Sequence, residues 1–319
     1  MEPARSVRAP FQRDMSKFST PHLEKIQKTL VNDKLPAVDK ARLEAALKVY
    51  GEWIAKLDAV VGSPEERLEK MVTLLNDYRL YVDLDLIFDS PSDFLYRQKG
   101  QLKLDNSICE EFLPRLITPA LIPEIASMEV RVGPAACYSS AYFMSSLDAP
   151  QPGGGLAIKE KAQDFAISKP VFLRASHSLT FAEVAAQQTS LAYIAAECKT
   201  NLDKTMFQEA SATARETKAA VTGARYYLLA EWLDMTPLST AATEIDEVLL
   251  LRGAKRLNSN IRKNFDTAAK RTAQRSSYVE HLLAHPLRKD VFLRFINHVR
   301  KVITNEVPIE EDVLERGYF

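Results

Sequence analysis

The chain has little cysteine and no long apolar run. Its three cysteines, Cys109, Cys137 and Cys198, lie far apart, with no metal-knuckle spacing and no even set for disulfides. No stretch approaches the roughly 18 uninterrupted apolar residues of a membrane span. The first eight residues, Met1 to Arg8, lack the apolar run of a signal peptide. A reducing cytoplasm without a membrane partner is the expected setting. Internal repeats and low-complexity tracts are absent. Gly153-Gly154-Gly155 follows Pro150 and Pro152, but no Gly-Lys-Ser/Thr comes after it, which argues against a phosphate-cradling loop. A flexible connection and a domain boundary are the better reading.

Net charge is absent too, but only in sum. The 319 residues carry 42 basic and 42 acidic side chains, with 46% apolar residues, ordinary for a globular protein. Residues 252–301 nevertheless hold 13 Lys/Arg against 3 Asp/Glu, whereas residues 1–160 hold 20 against 23 and residues 161–251 hold 8 against 11. A basic block of that size points to a polyanion, with a solvated helical face as the competing account.

The pattern predicts a mixed α/β fold, with a helical region over 1–150, a sheet-bearing core over 151–240 and a helical basic segment over 241–319. Helices are expected over Pro21–Val31, Asp39–Val60 and from a capping box at Ser63-Pro64-Glu65-Glu66 to about Tyr81. Shorter ones are expected over Asn106–Leu113, stopped by Pro114, and Pro123–Ser127. Strands are expected at Leu156–Ile158, Asp164–Ser168, Val171–Ala175 and Leu191–Lys199, with Lys169-Pro170 placed where a hairpin would turn. A helix over 203–220 and a strand Tyr226–Leu233 then complete a parallel crossover unit. From Glu244 onward the chain reads as helical.

Within the core, Glu197-Cys198-Lys199 ends an apolar strand. Alternate strand residues share a face, so a carboxylate able to hold a divalent cation stands beside an ammonium able to orient water. The same triplet type at Glu216-Thr217-Lys218 lies in a helix, where positions two apart diverge, and reads as surface. A metal-dependent phosphodiesterase needs another acid. Asp164 is preferred and Glu183 is the alternative. Asp164, Glu197 and the backbone carbonyl of Cys198 would hold one or two Mg²⁺, Lys199 would orient water, and the Cys198 thiol would turn into the core.

Gln163-Asp164-Phe165, Ala196-Glu197-Cys198-Lys199-Thr200 and the run Asn201 to Ala210 together resemble the PD-(D/E)XK nuclease superfamily. More narrowly the chain is similar to Type II restriction endonucleases of the Bpu kind, which use two related catalytic subunits on a short, asymmetric, interrupted site. The tract Asp93 to Leu102, continuing to Phe112-Leu113-Pro114, is similar to that group's helical N-terminal half. The resemblance covers roughly residues 90–235. It departs from the pattern where Gln163, not proline, precedes Asp164. It implies double-stranded DNA as substrate, Mg²⁺ as cofactor, a homodimer or a heterodimer with a related subunit, and a cognate DNA methyltransferase in the same system. A repair or structure-specific nuclease and a non-enzymatic helical DNA-binding protein are the alternatives.

Candidate DNA contacts are Lys204, at the start of the crossover helix, and Lys255, Arg256, Arg262, Lys263, Lys270, Arg271 and Arg275 in the basic block. Arg97-Gln98-Lys99 reads as a polar loop. His281 and His285 stand four apart, but no third ligand is near, so helix-end histidines are the better account. Trp53 and Trp232 read as core.

Overall fold

Ser63 Oγ accepts from the Glu66 N–H while the Glu66 carboxylate accepts from the Ser63 N–H at 2.8 Å, so the expected capping box forms. Proline at the first helical position adds a pre-set φ. The computed structural model describes residues 18–304 together with 314, 315 and 317. Met1 to Arg8, on which the reading against a signal peptide rests, lie outside the described residues.

Five helices precede the sheet: α1 (Pro21–Leu30), α2 (Ala37–Asp58), α3 (Pro64–Tyr81), α4 (Phe94–Leu102) and α5 (Ser107–Leu116). Between α3 and α4 the chain widens into a π-helical turn, Val82–Phe88. His22 fastens α1 to its neighbours. Its ring nitrogens lie 2.7 Å from Tyr78 Oη and 3.0 Å from Ser107 Oγ, and burial pushes the imidazole down to about 3, so it is neutral. Pro114 does not stop α5. Placed near the helix end, it forgoes only the bond to the Glu110 carbonyl, and the helix runs to Leu116.

The five strands β1 (Arg131–Phe143), β2 (Leu156–Ala175), β3 (Ala185–Leu202), β4 (Arg225–Leu233) and β5 (Glu247–Lys255) form one sheet in that order. The first two pairings are antiparallel and the last two parallel. Helix α6 (Lys204–Ala220) is the crossover between β3 and β4, as the sequence order predicts. After the sheet come α7 (Ser259–Arg262), α8 (Ala268–Ala273), α9 (Arg275–Ala284) and α10 (Lys289–Thr304). Helix α10 buries Phe292, Phe295, Ile296 and Val299 in the cluster that holds Phe165, Tyr227 and Leu249. On the opposite face α6 sets Phe207, Ala210 and Ala214 against Ala195, Leu228 and Ala230.

Three expectations are corrected. The sheet is not confined to 151–240: β1 falls in the stretch expected to be helical, and β5 falls beyond Glu244. Strand β1 is an edge strand carrying Gly133-Pro134 and two bulges, a composition that hides a strand, because only an edge position lets proline forgo a ladder bond. Nor does Lys169-Pro170 turn. Pro170 pairs with Ser190 inside a continuous β2, and the hairpin closes beyond Ala175.

Strand β2 also curls. Gln187 stands opposite Leu173, yet its side-chain amide donates to the Leu156 carbonyl at 3.0 Å, which brings the two ends of β2 together. Gly153 makes this possible. Its φ is +58°, and a Cβ there would lie 2.3 Å from the Ala175 carbonyl oxygen. Among the described residues no helix is long and apolar enough to cross a membrane.

Candidate active site

Register brings the acidic residues together. Phe165 stands opposite Ala196, so one step along the two strands sets Asp164 beside Glu197. The contact is closed by the backbone, with the Cys198 N–H donating to Asp164 Oδ2 at 3.0 Å. Glu197 and Lys199 share a face as strand alternation requires, and Lys199 Nζ lies 2.6 Å from Glu197 Oε1. Cys198 turns the other way and is buried. Burial first, then Cys109 and the surrounding acids, raises its thiol well above the ordinary range, so it has no nucleophilic character.

Two further residues complete the group, and sequence reasoning missed both. Glu110, on α5, is buried, and its carboxyl is pushed up to about 7 by burial and by the nearby Asp164 charge. Asn106 Nδ2 donates to it at 3.1 Å. The signal for Glu110 was present: two adjacent acids, Glu110 and Glu111, interrupt an otherwise apolar helix. Tyr226, on β4, donates its hydroxyl to Glu197 Oε2 at 3.0 Å. Nothing in its apolar strand marks Tyr226 from sequence alone.

Burial raises Asp164 as well, against the opposing pull of the Cys198 hydrogen bond and the Lys103 charge. For Lys199, burial pulls the ammonium down, but the Glu197 hydrogen bond and charge outweigh it and hold the group above its usual value. Buried carboxylates that repel one another are the chemistry a divalent cation relieves. Among the described residues no three acidic, imidazole or thiol side chains converge as a ready-made metal cage. Two carboxylates, the carbonyl of Cys198 and water suit a hard cation that retains part of its hydration.

The group opens into a cleft of about 650 Å³ whose wall includes Asp164, Glu197, Lys199, Lys99, Lys103, Arg256 and Arg262. Beneath the cleft Arg79, Asp83, Glu231 and Arg252 form a buried ionic cluster: Glu231 takes Arg79 Nε at 3.1 Å and Arg252 Nε at 2.9 Å, and Asp83 takes Arg79 Nη1 at 2.6 Å.

The other sequence candidates are dispersed. Glu183 is exposed in the loop that closes the β2–β3 hairpin, beyond the Ala175–Ala185 pair and about ten ladder positions from Asp164. Lys204 is exposed in the first turn of α6, beside the Asp203 cap, which takes the Met206 N–H at 2.8 Å. Lys255 and Lys263 are exposed. Arg256 pairs with Asp234 at 2.7 Å, Lys270 with Asp266 at 2.9 Å and Arg275 with Asp89 at 2.9 Å. The expectation for Arg271 is corrected. It is buried, donating to the carbonyls of Phe88, Ser90, Ser92 and Phe265, and so cannot reach DNA. Arg97-Gln98-Lys99 is helical, within α4.

His281 stacks on Trp232 at 4.8 Å between ring centroids, and His285 directs Nδ1 at the His281 carbonyl, 2.8 Å away. They form an aromatic stack at a helix end, as expected. Trp53 and Trp232 are both buried.

A model of the Bpu10I restriction endonuclease family matches residues 101–319. No curated protein matches the chain. Among solved structures, a chain of the native BbvCI A2B2 tetramer aligns with a TM-score of 0.53 at 18% identity, covering 84% of this chain and 99% of that one. The likeness extends the restriction-endonuclease fold to most of the helical N-terminal half. The chain belongs to the Bpu10I restriction endonuclease family: it is a Type II restriction endonuclease, a hydrolase of phosphodiester bonds in DNA, in a family that implies a divalent metal.

Proposed function

We propose that cleavage takes place at Asp164, Glu197 and Lys199, with Mg²⁺ as the metal and double-stranded DNA in the cleft. The carrying observation is the closure of Asp164 on the Cys198 N–H beside the Glu197–Lys199 pair. Asp164, Glu197 and the Cys198 carbonyl would hold the ion, and Glu110 on α5 adds negative charge that Asp164 feels. Bound there, Mg²⁺ would supply charge neutralisation at the scissile phosphate and make water more acidic. Lys199 then orients the attacking water and offsets the negative charge that grows on the phosphate. Tyr226 holds the Glu197 carboxylate in place. Lys99, Arg256 and Arg262 line the cleft as phosphate contacts, and exposed Lys255 and Lys263 next to them in sequence add to the basic surface.

One such site cuts one strand. The BbvCI neighbour is an A2B2 tetramer, which supports pairing of this chain with a second copy or a related subunit for double-strand cleavage. A cognate methyltransferase would protect host DNA. Three buried free thiols fit a reducing, cytoplasmic setting.

The test is cleavage of a sequenced plasmid by the purified chain with Mg²⁺, followed by sequencing of the ends. Lys199→Ala should abolish cleavage and preserve salt-sensitive DNA binding. Cleavage that continues in excess chelator, or a fully active Lys199→Ala variant, defeats this reading.

A further inference from the structure

Lys103 closes α4 in a backbone conformation that disfavours it. Its φ is 52° and ψ 31°, a left-handed cap where glycine or asparagine is the ordinary occupant. Among the described residues the only other non-glycine with positive φ is Phe181. The conformation is held from below. The Lys103 carbonyl accepts from Ser107 Oγ at 2.6 Å and from the Ser107 N–H at 3.3 Å, and Ser107 Oγ lies 3.0 Å from buried His22 Nδ1. A strained cap that glycine would occupy more easily, yet which carries a lysine, directs attention to the side chain.

That side chain lies in the wall of the active-site cleft with Asp164, Glu197 and Lys199. Its ammonium is 3.9 Å from Glu110 Oε1, beyond hydrogen-bond reach, and the side chain is 47% exposed. Its charge pulls down the carboxyls of both Asp164 and Glu110. Lys199, by contrast, is engaged with Glu197 at 2.6 Å. Two ammonium groups therefore stand by the acids, Lys199 tightly bonded to Glu197 and Lys103 only loosely paired with Glu110 and half-exposed.

We propose that Lys103 is a second phosphate-binding cation of the active site, donating to a non-bridging oxygen of the bound DNA strand beside Glu110. This inference rests on cleavage occurring at Asp164, Glu197 and Lys199. The left-handed cap sets the direction of the side chain, and the Ser107 clamp keeps it there. An ammonium in that place offsets charge on the phosphate without neutralising the acids that bind metal.

The deciding variant is Lys103→Gly, which removes the ammonium while relieving the backbone. Its thermal midpoint should equal or exceed that of the parent, so lost function cannot be charged to misfolding. With Ca²⁺ present to hold DNA uncut, the slope of log Kd against log salt should become shallower by about 0.9, the value of one lost phosphate contact. Single-turnover cleavage with Mg²⁺ should slow by about 10²-fold, in the range of other lost charge-stabilising donors. Lys103→Arg should restore the slope and much of the rate. An unchanged slope in Lys103→Gly overturns the proposal. Lys199→Ala serves as the reference: if it cleaves like the parent, the assigned active site fails and Lys103 with it. If it is inactive while Lys103→Gly matches the parent, Lys103 alone is refuted.

Discussion

Tyr226 Oη and Lys199 Nζ divide the Glu197 carboxylate between them, the phenol on Oε2 at 3.0 Å and the ammonium on Oε1 at 2.6 Å. A carboxylate held at both oxygens has one orientation toward the cleft. Burial, reinforced by the Glu197 charge, raises the phenol far above its ordinary value, so it remains a donor throughout the working pH range.

Tyr226→Phe removes that donor and little volume. Cleavage should fall, or the Mg²⁺ requirement rise, by about 10- to 100-fold, the usual cost of losing a partner behind a metal ligand. A Mg²⁺ titration of the single-turnover rate measures it. An unchanged midpoint and rate would show that Lys199 alone orients Glu197.

Glu110 makes the metal-free protein sensitive to pH. Its carboxyl is raised from 4.5 to about 7, by burial first and the Asp164 charge second. Between those values the folded state retains a proton that the unfolded state has released. Stability from this group is full below about pH 4.5 and declines as pH rises through 7, by on the order of 3 kcal/mol at most. In chelator, Glu110→Gln should flatten the profile between pH 5 and 8 and unfold later than the parent at pH 8. Denaturant melts at both pH values provide the check, and parallel profiles for the two proteins would refute it.

Arg271 and Lys263 belong to the same basic block but should behave as opposites. Arg271→Ala strips hydrogen bonds from the carbonyls of Phe88, Ser90, Ser92 and Phe265 and from Asp93, and should cost about 3 kcal/mol or more of stability. The salt dependence of DNA binding should not change. Lys263→Ala should leave stability within about 0.5 kcal/mol and make the salt slope shallower by about 0.9. Thermal melts paired with binding isotherms separate the two, and a reversed pattern would move Arg271 to the DNA surface.

Much of β3 was legible because its information is local. Period-two alternation places Glu197 with Lys199 and turns Cys198 inward, and the crossover helix was read as the 203–220 stretch between two apolar strands. Pairing Asp164 with Glu197 was harder, because 33 positions separate them and the register depends on a long hairpin. Preference for Asp164 over Glu183 rested on its place at the start of a strand, and Asp164 is the one beside Glu197. Glu110 and Tyr226 reach the group from other elements, and no spacing rule connects them to it. Strand β1 was hidden by glycine and proline that only an edge tolerates. Arg271 misled for a different reason: charge along a sequence does not reveal which guanidinium is consumed by backbone carbonyls.

The ionic cluster under the cleft has a consequence for how the molecule can be divided. Arg79 and Asp83 come from the helical half, Glu231 and Arg252 from β4 and β5, and all four are buried. Separating the halves would keep the Arg79–Asp83 and Arg252–Glu231 pairs but break the Arg79–Glu231 and Arg252–Asp83 contacts that join them. A cut near residue 150 would therefore yield two pieces that each carry one ion pair without the cross-bonds that bury it. The helices that line one wall of the cleft and the strands that carry its acids must form together, and the site exists only once both have done so.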